Sequence, residues 1–368
     1  MLEAIAQRFG PGPELELLLL LGLFDRPALL GALAALRAVP TIPGLTDQLA
    51  GLSETEWHRL LGKLRTERLI AEEDRHQPDT VDAHPLVREH FGERLESGNP
   101  PAWKEGHWRL FEFYSRSAAP FPDTTDALAP LFAAVYHGCK AGKHETVYND
   151  VYWRRIQRES KFFAVKQLGL LSATLQALGS FFKVRWMEPV EGLTALLSQA
   201  GGFLQALGRL REAVKPREAC LAFFRSKKDD DAAASEARNL SFAYLALGEM
   251  GKALSAAELS VELSRENDQQ LRWSFAALGT SLHYAGSPDQ AEAQFQLAER
   301  SLAKCEPDKP VRFSGLPVLR PPPRPRGARR CARTSGKRTG NRDKDSPDPR
   351  HCPVPPLYRS ILSGRCSN

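Results

Sequence analysis

Apolar residues recur at helical spacing along most of the chain, over residues 14–304. Ser53 and Glu56 have the spacing of a capping box, in which each residue hydrogen-bonds the backbone of the other at a helix start. The helix predicted to follow carries its apolar side chains on one face: Trp57, Leu60, Leu61 and Leu64. The pattern predicts a mainly α-helical fold.

Two short β-capable segments, residues 68–72 and 80–84, interrupt the helical period and predict a hairpin. Residues 14–37, before them, predict two helices, with Pro27 in the first turn of the second. A further helix follows the hairpin. Three helices, a small β-hairpin and a closing helix are the order of a winged-helix domain, which we place at residues 14–98.

Three sets of residues repeat with the same internal offsets along the last third of the helical region. They are Gly201, Leu204, Gly208 and Ala213; then Ser241, Tyr244, Gly248 and Ala253; then Gly279, Leu282, Gly286 and Ala291. Small residues at fixed positions let two antiparallel helices touch. The pattern resembles the tetratricopeptide repeat, whose period is about 34 residues. It predicts an α-solenoid of about three tetratricopeptide-like helix pairs at residues 191–306, after a helical linker domain at residues 99–190.

Charge is unevenly distributed along the chain. The formal net charge is +6, yet residues 307–368 hold 15 Lys/Arg against 4 Asp/Glu, together with 12 Pro. A mildly acidic helical body argues against nucleic acid as its partner. The Pro/Arg-rich composition predicts a disordered C-terminal tail, because such a segment buries too little apolar surface to offset its chain entropy.

Targeting signals are sparse. The longest apolar stretch, Leu17–Phe24, is far shorter than a membrane-spanning helix, and the first residues do not form a signal peptide. The six cysteines include no Cys-x-x-Cys pair, which favours a reducing compartment. We therefore expect a cytoplasmic protein with no membrane partner.

Residue groupings that carry catalysis are absent from the sequence, so we predict that the chain is not an enzyme and has no catalytic or metal-binding residues. The segment Gly336-Lys337-Arg338-Thr339 lacks the upstream glycine of a phosphate-binding loop. His137, Cys139 and His144 lie close together, but their spacing does not bring two of them onto adjacent helical turns. We interpret them as polar residues at a helix end.

A family resemblance becomes specific at Asp82-Ala-His84-Pro-Leu-Val-Arg-Glu-His-Phe91. The segment resembles the end of the winged-helix subdomain of bacterial signal-transduction ATPases of the NB-ARC type (STAND proteins). There a Met-His-Asp-type motif precedes a Leu-Val-Arg-like helix, and its histidine contacts the bound nucleotide. The resemblance implies a nucleotide-sensing role for His84, although Pro85 stands in place of the Asp. The alternative is that His84 caps the helix that follows it.

The resemblance continues on both sides of this segment and covers about residues 14–306. Residues 20–27 resemble the start of the same subdomain, and residues 137–155 resemble the helical linker before the repeats. Family members carry the nucleotide-binding module before the winged helix, where this chain has a stub of residues 1–13. We therefore expect a fragment with no cofactor of its own, since ATP or ADP would belong to the missing module, which is a possible partner in trans.

The resemblance implies a regulatory sensor module that binds a protein or peptide ligand in the groove of its repeats. Residues on the inward helices are the partner-binding candidates: Gln199, Gln205, Arg238, Asn239, Ser274 and Thr280. The alternative is a winged-helix DNA-binding transcriptional regulator with a tetratricopeptide sensor domain, in which residues 53–67 form the recognition helix. Glutamates nearly balance the basic residues of that helix, which argues against DNA binding.

Overall fold

The protein is mainly α-helical, and the predicted fold class is confirmed. The computed structural model describes residues 2–190, 192 and 194–305. The chain forms two compact units, one ending at Ala219 and one beginning at Cys220. The predicted tail at residues 307–368 lies outside the described residues.

The first part of unit one, over residues 2–98, consists of five helices and two short strands. Its elements are α1 (Leu2–Phe9), α2 (Pro13–Leu21), β1 (Ala28–Leu29), α3 (Leu30–Arg37), α4 (Glu54–Thr66), β2 (Thr80–Val81) and α5 (Pro85–Gly98). The residues predicted as an N-terminal stub thus include helix α1. Ion pairs tie it to the later helices, from Arg8 to Glu67 at 2.6 Å and from Arg94 to Glu3 at 2.7 Å.

The strand pairing differs from the predicted hairpin. β1 pairs antiparallel with β2, with Ala28 opposite Val81, and the segment predicted as the first hairpin strand contributes only a bridge from Ile70 to Ala83. The prediction that Pro27 opens the second helix is wrong. The amide of Leu30 donates to the carbonyl of Asp79 at 2.8 Å, which keeps this backbone extended until α3 begins.

Packing around α4 follows the sequence pattern. Ser53 Oγ accepts from the Glu56 amide, and the Glu56 carboxylate accepts from the Ser53 amide at 2.9 Å, so the capping box is confirmed. The four apolar residues of the predicted face, Trp57, Leu60, Leu61 and Leu64, are all buried. Nearby, α2 and α5 approach so closely that a Cβ on Gly22 would lie 2.3 Å from the Gly92 nitrogen.

The middle of the chain is less regular than predicted. Its elements are α6 (Pro100–Ser117), α7 (Thr125–Lys140), α8 (His144–Thr146), a π-helix (Val147–Ile156), a 3-10 helix (Glu159–Lys161), α9 (Phe163–Lys166), α10 (Leu171–Gly179), β3 (Phe182–Val184) and β4 (Glu188–Pro189). The helical spacing predicted along this region does not continue unbroken. Phe162 and Gly169 have positive φ angles of 48° and 67°, one directly before α9 and the other between α9 and α10.

Helix pairs form the rest of the described chain, as the repeat predicts. They are α11 (Ala195–Ala206) with α12 (Leu210–Lys227), α13 (Asp230–Leu247) with α14 (Met250–Leu263), and α15 (Asp268–Tyr284) with α16 (Pro288–Cys305). In unit two, α13 packs on α14, α15 packs on α16, and α13 also packs on α15. The repeated alanines 213, 253 and 291 are all buried.

One turn joins the two helices of every pair. Gly208, Gly248 and Gly286 have φ angles of 73°, 77° and 83°, a conformation that glycine adopts without steric cost. In each pair the amide after the glycine donates to the carbonyl five residues before it, at 2.9 Å. Those carbonyls belong to the second repeated position: Leu204, Tyr244 and Leu282. The repeat in the sequence is therefore a repeated helix-ending turn.

Candidate functional site

A polar cluster connects the first helices of the two pairs in unit two, and one predicted partner-binding residue lies at its centre. Arg238 Nη1 on α13 donates to Gln270 Oε1 on α15 at 3.2 Å, and Ser235 Oγ donates to the same oxygen at 3.4 Å. Arg238 Nη2 lies 3.5 Å from Ser235 Oγ. These three side chains, Ser235, Arg238 and Gln270, are the Arg238 cluster.

Helix caps set the register that makes this cluster. Asp229 begins α13, where its carboxylate accepts from the Ala232 amide at 3.0 Å. Asn267 begins α15 and accepts from the Gln270 amide at 3.2 Å, while its own amide group donates to Asp231 at 2.8 Å. Because the two helix starts are bonded to each other, residues two turns into α13 face the first turn of α15.

The electrostatics of Arg238 are unusual for a half-buried arginine. Burial lowers its pKa to about 10, and the neighbouring carboxylate of Glu236 acts in the opposite direction. The guanidinium is therefore charged at neutral pH, although its hydrogen bonds go to the neutral oxygens of Gln270 and Ser235. A partly desolvated charge with neutral acceptors gains more from an added carboxylate than an exposed one does.

The other candidates on these helices occupy different environments. Asn239 is half-buried beside Arg238, and Thr280 Oγ1 donates to the Ala276 carbonyl at 2.8 Å. Ser274 is fully buried, with Ser260 Oγ at 2.7 Å and Ser264 Oγ at 2.8 Å. Ser274 thus contributes a hydrogen bond inside the helix packing.

The two candidates in unit one bond to other side chains. Gln199 Oε1 accepts from the Tyr152 hydroxyl at 3.1 Å. Gln205 is 6% exposed and accepts from Arg217 Nη2 at 3.1 Å. The structure therefore gives no cluster that unites the six candidates, and Arg238 with Asn239 is the pair that it places side by side.

The nucleotide-sensing candidate, His84, lies at the start of α5. Its Nδ1 accepts from the Leu86 amide at 3.2 Å, and its side chain is exposed. This is a helix-capping contact, which satisfies an amide that the helix leaves without an intrahelical partner. The contact uses Nδ1 and not the other ring nitrogen, Nε2, and the sensing role of His84 stays a prediction.

A buried histidine pair lies at the end of α7. His137 and Cys139 are in the last turn of α7, where the sequence predicted a helix end, but both are buried, and His137 Nδ1 lies 2.9 Å from His107 Nδ1 on α6. Burial lowers the pKa of His137 to about 3 and raises the pKa of the Cys139 thiol. The described residues contain no group of three or more His, Cys, Asp or Glu side chains placed to hold a metal ion.

Sequence reasoning found Arg238 but missed the residues that hold it. Ser235 and Gln270 are common polar residues, and their meeting depends on the packing of α13 against α15. One signal was available. Asp229 and Asn267 both stand directly before helical stretches, as N-caps do, and they indicate where the two helices begin.

Comparison with known proteins finds solved structures that resemble this chain, but it finds no matching family. No family model matches the chain, and no curated protein does. Among solved structures, BtubC (BKLC) from P. vanneervenii is 14% identical, with a TM-score of 0.39 over 67% of this chain and 93% of that one. A putative kinesin light chain with nearly identical tetratricopeptide-like repeats, from Podosopora anserina, is 13% identical, with a TM-score of 0.33 over 67% and 98%.

A third neighbour is a signal transduction ATPase with numerous domains, with a tetratricopeptide repeat sensor, from Pyrococcus horikoshii. It is 17% identical, with a TM-score of 0.34, and the match spans 83% of this chain and 46% of that one. With similarity at this level, the functional inference rests on the chain's own residues. Among the described residues, no helix combines the length and the apolar character needed to cross a membrane.

Proposed function

We propose that the chain is a non-enzymatic interaction module that binds an extended segment of a partner protein along α13 and α15. The observation that carries the proposal is Arg238, a charged and partly desolvated guanidinium that bonds to neutral oxygens. A carboxylate of the partner is the group that this guanidinium binds best, because the guanidinium fork matches the two carboxylate oxygens.

The contribution of this contact is substantial. A hydrogen bond to a charged group contributes about 1.5–3 kcal/mol, which corresponds to roughly a tenfold to hundredfold change in affinity. Asn239, next to Arg238 on α13 and half-buried, adds a side-chain amide that can bond the backbone of an extended segment. We therefore propose an acidic side chain at the anchoring position of the partner.

The broader role we propose is that of the sensor portion of a STAND-type signalling protein. Residues 14–98 would form its winged-helix-like domain, 99–190 its linker and 191–306 its repeats. A nucleotide-binding module supplied by another chain would then meet His84, whose Nε2 is not used by its capping bond. The segments at residues 20–27, 82–91 and 137–155, which resemble the family in sequence, support this role.

Selection from a random peptide library tests the Arg238 proposal and requires no identified partner. We expect peptides captured by the full chain to be enriched in Asp and Glu at one position. Their affinity, measured by fluorescence anisotropy, is expected to fall at least about tenfold in Arg238→Gln. Arg300→Gln, which removes an exposed charge from α16, is the matched control and is expected to change little.

Two results would contradict the proposal. One is a peptide set without an acidic position. The other is equal binding by Arg238→Gln and the wild type, with circular dichroism showing that the variant is folded.

A further inference from the structure

A cavity of about 820 Å³ opens in unit one. It lies between the end of α7, one side of α10, the β3–β4 hairpin and the turn before α12. Its volume is in the range of sites that bind small molecules, roughly 300–1,000 Å³. All of its lining residues belong to unit one, so it is made of different residues from the Arg238 cluster.

Four cations from three separate segments line this cavity. They are Lys140 at the end of α7, Lys183 on β3, Arg185 in the hairpin turn and Arg209 before α12. An excess of basic residues does not explain this concentration of positive charge, because residues 1–306 hold 35 Lys/Arg against 40 Asp/Glu. The cavity therefore concentrates positive charge on a body whose net charge is negative.

Carboxylates neutralise two of these cations in part. Arg209 Nη2 lies 2.6 Å from Glu212 Oε2, and Lys183 Nζ lies 3.9 Å from Glu188 Oε1. Both pairs are largely exposed to solvent, where ion pairs are weak and a phosphate can compete for the cation. Asp25 is the one carboxylate among the described lining residues, and Arg26 Nε donates to its Oδ1 at 2.9 Å.

Aromatic rings contact the other two cations. Lys140 Nζ lies 5.8 Å from the ring centroid of Trp103, and the Arg185 guanidinium lies 5.2 Å from that of Trp186. A ring face attracts a cation without cancelling its charge. The hydrogen bond from Arg209 lowers the pKa of the Glu212 carboxyl group, and Arg185 also attracts that carboxylate and helps to lower its pKa. Lys140 and Arg185 are the two lining cations that we expect to attract an anion most strongly.

The hairpin turn holds Arg185 at the cavity at some conformational cost. Trp186 has a φ angle of 64°, which is rare for a bulky residue. Its ring is 4% exposed and packs edge-on against Phe182, with centroids 5.4 Å apart. Burial of the indole offsets the backbone strain and fixes the turn, and the neighbouring Arg185 is left exposed.

Neutral donors complete the wall. Ser172 and Gln176 on α10 and Ser180 just after it line the cavity opposite the cations. Phosphate oxygens accept from hydroxyl, amide, ammonium and guanidinium groups alike, and a guanidinium fork matches two of them at once. We propose that this cavity binds a small molecule that carries two or more phosphate groups.

Calorimetric titration of the full chain with inorganic tripolyphosphate tests the proposal. The double variant Lys140→Gln with Arg185→Gln is expected to bind at least about tenfold more weakly than the wild type, since both lost charges face the ligand. The control, Lys104→Gln with Arg154→Gln, removes the same charge from exposed residues that do not line the cavity. It is expected to bind within about twofold of the wild type.

The control also accounts for the basic segment at residues 307–368, which is identical in all three proteins. Equal weakening in both double variants, each with an unchanged melting temperature, would overturn the cavity as the site. Hexaglutamate is the second probe. Tighter binding of hexaglutamate than of tripolyphosphate, lost in the cavity variant alone, would show a site for acidic peptides and overturn the phosphate assignment.

Discussion

Acidification is expected to destabilise unit one through its buried histidine pair. His107 and His137 are 0% and 3% exposed, and one Nδ1 must donate while the other accepts across 2.9 Å. Both rings are therefore neutral. A proton on the accepting Nδ1 would place two N–H groups against each other, and a proton on either ring would leave a buried charge. Lys140 disfavours a charge on His107 and Arg26 disfavours one on His137, whereas Asp25 favours one on His137.

The size of the effect follows from proton linkage. Burial lowers the pKa of His137 from 6.5 to about 3 and lowers that of His107 well below 6.5. Below pH 6.5 the unfolded chain binds protons that the folded chain excludes, so this stability is present above pH 6.5 and is lost as the pH falls toward 3. At pH 5.5 the loss is roughly 1–2 kcal/mol for each histidine, and about twice that for the pair.

Urea denaturation followed by tryptophan fluorescence measures this loss, because five of the six tryptophans lie in unit one. The free energy of unfolding is compared at pH 7.5 and 5.5 in the wild type and in two variants. His137→Asn keeps a polar group at the Nδ1 position and removes one titrating ring. We expect its pH-dependent loss to be smaller than that of the wild type by roughly 1–2 kcal/mol.

His58→Asn is the control, since the His58 side chain is 74% exposed on α4. It is expected to show the same pH-dependent loss as the wild type. The reasoning is refuted if His137→Asn and His58→Asn lose equal stability between the two pH values, because a buried neutral histidine must contribute to that slope.

Three further substitutions test the packing and capping in unit one, all by urea denaturation. Gly22→Ala is expected to destabilise by about 1–3 kcal/mol, because its Cβ would meet the backbone of Gly92. Gly62→Ala, where the new Cβ meets nothing within 4 Å, is the matched control and is expected to stabilise α4 by about 0.5–1 kcal/mol. Ser53→Ala is expected to cost about 1 kcal/mol through loss of the cap, and an unchanged midpoint would contradict the capping argument.

The helix pairs were predictable because their signal is local. The contacts within a single helix pair require a glycine where the first helix ends and an alanine where the two helices touch. Gly248 and Ala253 are examples. The start of α3 was not predictable in the same way. Pro27 fits a first helical turn, but the backbone after it instead pairs with a segment about 50 residues away, and the sequence does not state that pairing.

The π-helix left a signal that the α-helical interpretation overlooked. Its buried residues, Val147, Val151, Tyr152 and Ile156, are spaced by four, one and four residues. Val147 and Ile156 are nine residues apart, which is about two and a half turns of an α-helix and would place them on opposite faces. A helix with more residues in each turn brings both onto the same buried face. The cavity left no comparable signal, because its cations lie on three segments that only the fold brings together.

The shared turn allows two consecutive helices to be removed or added together. Gly248 and Gly286 adopt the same conformation, and the residues after them, Glu249 and Ser287, bond equivalent carbonyls. Removing residues 249–286 would join Gly248 directly to Ser287 and rebuild the same turn between α13 and α16. Duplicating those residues would add a pair with the same joint. A gene for this chain can thus change its length by whole helix pairs while every junction keeps the same backbone geometry.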